Sequence, residues 1–174
     1  QPVGGNCMEN AHERDGGCDL LVVGGGIAGL TAANRAAQLG LRVIVLERGA
    51  EERYRCNSRY SGGIFHVAFR DVKESPATLE TVITGATRGH ADPALVQALA
   101  ANCGRAVDWL RAEGARFIRV GQSAWQQWVL APPPPIQPGL HWEGRGPDQA
   151  LNALAAKLVG RGGQILREIG RAHV

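Results

Sequence analysis

Three glycines, Gly24, Gly26 and Gly29, stand in the spacing G-x-G-x-x-G, and Glu47 follows 23 residues after the first of them. That spacing suits phosphate chemistry. Gly24 permits a tight turn, Gly26 leaves room for a pyrophosphate to approach the backbone, and Gly29 lets a helix pack close to a sheet. The N–H groups at the start of that helix then face the phosphates at the positive end of the dipole. A carboxylate at position 47 can accept hydrogen bonds from an adenosine ribose, and it favours a free 2′-hydroxyl, so FAD or NAD suits it better than NADP. Further on, Asn57, Ser58, Arg59, Tyr60, Ser61, Gly62 and Gly63 place an amide, two small hydroxyls and a glycine pair in one stretch. These residues can hydrogen-bond and closely approach a phosphate or a flat ring. The same residues also fit an ordinary turn before a strand.

The flanking segments are of the kind that could position these groups. Leu20, Leu21, Val22 and Val23 form an apolar run behind Asp19, as in a parallel strand buried on both faces. Residues 27–39 are rich in Ala and Leu and stop at Gly40, which predicts a helix. Residues 41–46 are apolar and β-branched and predict a second strand with Glu47 at its tip. A loop runs from there to about Ser58. Leu79, Val82 and Ile83 have helical spacing within residues 76–89. Asp92 followed by Pro93 starts another helix, whose expected inner stripe is Leu95, Leu99, Cys103, Ala106 and Leu110, with Gly114 as its stop. Trp109 is expected to anchor a core. Phe117, Ile118 and Val120 suggest a short strand, while Trp125 and Trp128 either line a substrate cavity or close a small core. Residues 131–138 form a proline-rich connector that reads as polyproline II at the surface. His141, Glu143 and Arg145 either contact a carboxylate substrate or the cofactor, or belong to a solvated loop. Gly146, Pro147 and Asp148 open a helix with Leu151, Leu154, Ala155 and Leu158 on one face, and residues 164–168 begin a third strand.

Composition narrows the function classes. A chain of 174 residues can bury a sizeable core, and 44% hydrophobic with 20% charged residues is ordinary for a globular protein. The formal charge of +3 comes from scattered basic residues, so no nucleic-acid partner is expected. Cys7, Cys18, Cys56 and Cys103 lack C-x-x-C spacing and read as reduced thiols in a cytoplasmic protein, with no metal site. No apolar run approaches membrane-spanning length, and no signal-peptide pattern opens the chain. Residues 1–17 read as a flexible tail. The oligomeric state is open.

The run of Gly24 to Gly29, a strand ending in Glu47 and Arg48, and the stretch from Asn57 to Gly63 together resemble the FAD-dependent oxidoreductase 2 family. That family includes the flavoprotein subunits of fumarate reductases and succinate dehydrogenases. Residues 57–69, 92–117 and 144–165 bring the resemblance nearest to its soluble, tricarballylate dehydrogenase-like branch. The resemblance implies an α/β, Rossmann-like FAD-binding fold with a parallel sheet, present here as the N-terminal part of a larger flavoprotein. It implies cofactor contacts at Gly24, Gly26, Ala28, Gly29, Glu47, Arg48, Asn57, Ser58, Ser61, Gly62 and Gly63. Some members tether the flavin through a His in this loop; Arg59 and Tyr60 stand there instead, which implies non-covalent FAD. His66, just beyond, reads as a packed or partly exposed strand histidine, with a flavin or substrate contact as the alternative. In the family, a capping domain and a later return to the FAD domain supply the carboxylate-binding cations and the proton-moving residue. No residue of this chain is therefore given a catalytic role. Residues 18–174 are expected to form the FAD-binding domain, with helices inserted over 76–114 and the capping domain absent. The implied reaction interconverts CH–CH and C=C bonds of a small carboxylate or related molecule by hydride transfer at the flavin N5. Two other readings are an NAD-dependent dehydrogenase, against which the 57–63 stretch argues, and a non-catalytic nucleotide-binding fragment with an open sheet edge.

Overall fold

A computed structural model of the chain describes residues 17–134 and 141–170. Residues 1–16, the connector from 135 to 140 and the last four residues lie outside it, and with them Cys7 and most of the expected tail.

The apolar run after Asp19 forms β1 (Leu20–Val23), the Ala-rich segment forms α1 (Ile27–Gln38), and the β-branched segment forms β2 (Val43–Leu46). Gly40, with φ of 83°, supplies the left-handed residue that ends α1. Three further helices follow: α2 (Asn57–Tyr60), α3 (Pro76–Ala86) and α4 (Pro93–Ala112). A two-stranded antiparallel ribbon joins β3 (Phe117–Ile118) to β4 (Val129–Leu130). The chain then forms α5 (Gly146–Gly160) and β5 (Gln164–Leu166). The main sheet is parallel, in the order β1-β2-β5, with Leu20 opposite Val43 and Val45 opposite Ile165.

Among the described residues the sheet buries one face, where its apolar runs suggested two. Val43 and Val45 lie in a core with Leu30 and Ala33 of α1 and Leu151, Leu154 and Leu158 of α5. On the opposite face Leu21 is 51% and Val23 83% exposed, because neither α1 nor α5 reaches them. Across the covered face, Asn34 is buried and donates to the carbonyls of Leu30 and Leu154, which ties α1 to α5. Arg161 locks the same corner. It donates to the Asn34 side chain at 2.6 Å and to both oxygens of Glu113, whose carboxyl it holds below the usual range.

A second core joins α3 and α4. Leu79, Ile83, Val96, Ala100 and Val107 meet Val67 and Val72. Asp92 caps α4 by accepting from the N–H groups of Ala94 and Leu95. The inner face of α4 keeps Leu110 and the half-buried Cys103 of the expected stripe and is displaced at the other three positions. Val96, Ala100, Val107 and Leu110 are buried, while Leu95 is 70% and Leu99 48% exposed and Ala106 faces solvent. α4 carries two apolar rows, and the position of α3 selects between them. Trp109 packs against the first core, as expected of an anchor, and its Nε1 donates to Gln38. Trp128 packs against the second core and donates to Asp71 at 2.8 Å, so it closes a core. The proline run begins anchored: Ala131 is buried, and the Pro132 carbonyl accepts from the Gly146 N–H. No helix among the described residues is long and apolar enough to cross a membrane.

Candidate functional site

The turn after β1 is built by close backbone packing. Gly24 has φ of 95° and donates to the Leu46 carbonyl at 2.8 Å, which sets the turn beside the end of β2. A Cβ at Gly29 would stand 1.9 Å from the Gly24 carbonyl oxygen and 3.3 Å from Val22 Cγ1, so α1 rests directly on the strand. A Cβ at Gly26, the N-cap of α1, would meet Ser58 Oγ at 3.1 Å. Ser58 Oγ in turn accepts from the Ile27 N–H at 3.0 Å, which docks α2 on the start of α1. The N–H groups of Gly26, Ala28 and Gly29 have no acceptor among the described residues. These are the donors a diphosphate needs at a helix N-terminus.

Glu47 is only 6% exposed. Its Oε2 accepts from the Gly25 N–H at 2.8 Å and its Oε1 from the Gly49 N–H at 2.9 Å. The carboxylate thus ties the glycine turn to the loop after β2. Each oxygen keeps a second lone pair for a ribose hydroxyl.

Two cavities meet at α2. The first, of about 620 Å³, is lined by Gly24, Gly25, Gly26, Glu47, Arg48, Arg55, Asn57 and Ser58 among others. The second, of about 450 Å³, is lined by Asn57, Ser58, Ser61, Gly62, Gly63, Ile64, Phe65 and Leu130 among others. Asn57 and Ser58 belong to both, so the two cavities adjoin there and together make a groove with the acid at the tip of β2 at one end and Ile64 and Phe65 at its apolar end. The polar, donor-rich end fits an adenosine diphosphate and the apolar end fits a flat ring system. Of the expected contact residues, all but Ala28 and Gly29 line this groove. Gly29 serves the packing of α1, and Ala28 offers its backbone N–H. Gly63 is constrained as well, since a Cβ there would stand 2.9 Å from Pro147 Cγ.

The stretch expected to be a loop before a strand is instead a single helical turn, α2. Arg59 on it is 1% exposed and pairs with Asp148, itself 1% exposed, at the start of α5. Arg53 binds the same carboxylate, and the Gly144 N–H donates to it at 2.8 Å. Burial alone would raise the Asp148 carboxyl; the hydrogen bonds from Arg53 and Gly144 and the charges of both arginines hold it below the usual range. Behind α2, the Tyr54 hydroxyl donates to the Gly25 carbonyl at 2.6 Å, and burial pushes this phenol up to about 12. Tyr54 and Asp148 carry no local signal in the sequence, and their partners lie 29 and 89 residues away.

The remaining candidates lie elsewhere. His66 is exposed, lies outside any strand between the bridge residues Ile64 and Val67, and stacks on Phe69 at 5.1 Å. Trp125 meets both rings edge-on at 6.2 Å. Arg145 donates to the carbonyls of His141 and Ser61, bracing the 57–63 stretch against the start of α5, and Glu143 is exposed. Among the described residues no three His, Cys, Asp or Glu side chains gather to hold a metal ion.

Comparison with known proteins agrees with this geometry. The family described as FAD binding domain matches residues 19–163. A fumarate reductase (cytochrome) of Shewanella frigidimarina is 34% identical over 110 residues, 59% of this chain and 19% of that protein. A digeranylgeranylglycerophospholipid reductase of Thermoplasma volcanium is 39% identical over 70 residues, 39% of this chain and 17% of that protein. Among solved structures, a 3-ketosteroid-Δ4-(5α)-dehydrogenase of Rhodococcus jostii superposes with a TM-score of 0.66 at 19% identity, over 87% of this chain and 38% of that one. The Sdh1 complex of Mycobacterium smegmatis superposes with a TM-score of 0.64 at 20% identity, over 87% of this chain and 27% of that one. The chain spans about a fifth of the length of the fumarate reductase it matches. The donor-rich glycine turn, the acid at the tip of β2 and the apolar end of the groove fit FAD, and the chain belongs to the FAD-dependent oxidoreductase 2 family, whose FAD binding domain it carries.

Proposed function

We propose that this domain holds FAD non-covalently for an oxidoreductase acting on a C–C bond, CH–CH to C=C or the reverse, in a small carboxylate or a related molecule. The observation that carries this reading is the pair of adjoining cavities that share Asn57 and Ser58, one beside Glu47 and the other beside Phe65. A nicotinamide dinucleotide would leave the apolar end without a role. Bound FAD would supply hydride exchange at its N5 atom. The residues of the chain orient it. Glu47 would receive the ribose, the N–H groups of Gly26, Ala28 and Gly29 would meet the diphosphate, and Asn57 and Ser58, which line both cavities, would contact the cofactor between its two halves. Arg59 and Tyr60 leave the loop without a histidine to tether the flavin. The carboxylate substrate is argued from the fumarate reductase relative. The groups that bind substrate and move its proton are placed outside the residues described here.

The test is turnover by the full protein loaded with FAD, with a reduced viologen dye as electron donor. Dye oxidation that depends on fumarate or a similar unsaturated carboxylate is expected. A flavin-loaded protein that oxidises the dye with no unsaturated carboxylate, but does so with a substrate of another class, would replace the substrate reading and leave the FAD reading standing.

A further inference from the structure

We propose that Arg59 and Asp148 are positioning residues for the cofactor, their buried ion pair holding α2 in the place where Asn57 and Ser58 serve both halves of the groove. This rests on the FAD reading above.

A helix of one turn has almost no stability of its own, because nucleation fixes several residues for very few hydrogen bonds. α2 spans only Asn57–Tyr60, and its N-cap residue, Cys56, makes no side-chain capping bond. Yet it carries the two residues common to both cavities. Contacts from outside must therefore hold it. Ser58 supplies one, through the Ile27 N–H. The larger set comes from Arg59. Besides the ion pair, its Nη1 donates to Asn152 Oδ1 at 3.0 Å and to the Asp148 carbonyl at 3.3 Å. Its guanidinium lies 5.2 Å from the centre of the Tyr54 ring and 5.5 Å from that of Trp142. Tyr54 then reaches the Gly25 carbonyl. The contacts run unbroken from the first turn of α5, through α2, to the glycine turn.

Neither Arg59 nor Asp148 lines either cavity, so any effect on the cofactor is exerted through Asn57, Ser58 and the turn. A buried ion pair is also a poor way to gain stability, since apolar residues of the same volume often serve as well or better. What a pair of this kind does provide is one defined arrangement, because displacing either partner strands a buried charge. Here Asp148 receives two guanidinium groups and a backbone N–H, and Arg59 is enclosed by two rings. That is a socket for one orientation of α2.

The experiment compares Arg59→Met with Arg161→Met in the full protein. Arg161 sits in a comparable cluster with Glu113 and Asn34 that ties α5 to α1, and its side-chain hydrogen bonds go to those two residues and not to α2. FAD affinity is measured by titration of the apoprotein, alongside its melting temperature. Arg59→Met is expected to weaken FAD by roughly tenfold or more, the usual consequence of losing a charge-assisted buried contact. Arg161→Met is expected to lower the melting temperature by a similar amount and leave FAD affinity within about twofold. Arg59→Lys, which keeps the charge, should recover most of the affinity; it also serves as the second variant if Arg59→Met does not fold, and must then still bind FAD measurably more weakly than wild type. Equal losses in the two Met variants, in proportion to melting temperature, would make the pair merely structural and overturn the proposal. So would wild-type affinity in both Arg59 variants. A wild-type protein that binds no FAD defeats the functional reading itself, a result distinct from either.

Discussion

The Tyr54 hydroxyl donates to the carbonyl of Gly25 at 2.6 Å, so a residue of the loop after β2 holds the middle of the glycine turn from behind. A Cβ at Gly25 would stand 2.3 Å from that hydroxyl oxygen, which leaves the phenol the space a side chain would take. Tyr54→Phe keeps the ring and removes the bond. It should cost about 1 kcal/mol of stability and weaken FAD binding. Thermal melting and bound flavin per polypeptide check both, and an unchanged flavin content would show that the turn holds its shape unaided.

Gly26 and Gly29 should separate binding from folding. A methyl group at 29 meets the backbone carbonyl of Gly24 at 1.9 Å, and neither partner can move without parting α1 from β1. Gly29→Ala is therefore expected to cost about 3 kcal/mol or more and to reduce soluble yield. A methyl group at 26 meets only the Ser58 hydroxyl at 3.1 Å, which need give by only a few tenths of an ångström and can keep its bond from the Ile27 N–H. Gly26→Ala should fold with a melting temperature close to wild type and retain little FAD. Circular dichroism and flavin content on the two variants distinguish the roles.

Glu47 acts on the fold before it acts on a ligand. In Glu47→Gln one of the two N–H groups of Gly25 and Gly49 would face an amide NH2 instead of a carboxylate oxygen. A loss of about 2 kcal/mol in the apoprotein is expected, together with weaker FAD binding. A urea unfolding curve of the apoprotein reads the first effect, and full stability there would mean that Glu47 serves the ribose alone.

Stability should fall at both ends of the pH range for separate reasons. Asp148 and Glu113 have folded pKa values below their ordinary ones. Each contributes stability that is complete above about pH 4, the unfolded range, and is lost as pH falls through the folded value. Tyr54 is the reverse case, raised from an ordinary 10.0 to about 12. Its contribution is complete below the ordinary value and is lost as pH rises towards the folded one. Melting temperatures across pH should show both limbs, with Asp148→Asn flattening the acid one and Tyr54→Phe the alkaline one.

The parts of the site legible in the sequence are those fixed by local backbone needs. Gly24, Gly26 and Gly29 are demanded by a turn and a close helix, and Glu47 by the end of the next strand, all within one continuous segment. The caps at Asp92 and the stop at Gly40 are local in the same sense. What stayed hidden depends on contacts across long separations. Arg59 stands in a recognisable stretch, but its partner Asp148 is 89 residues on, where an acid in the first turn of a helix has an ordinary explanation. The helical turn of α2 was hidden for the same reason, since its support comes from α5. On α4 the two apolar rows are equally good by periodicity, and only the location of α3 makes Val96 inner and Leu95 outer. β4 is two residues long and exists by pairing with β3, so it leaves no periodic trace.

The most direct test of the account is the visible absorption spectrum of the purified full protein, taken before and after denaturation and filtration. The account predicts flavin bands near one equivalent per polypeptide, with all of the flavin, as FAD, in the filtrate. Absence of flavin even after incubation with FAD would contradict the central claim, and flavin remaining with the polypeptide would contradict non-covalent attachment.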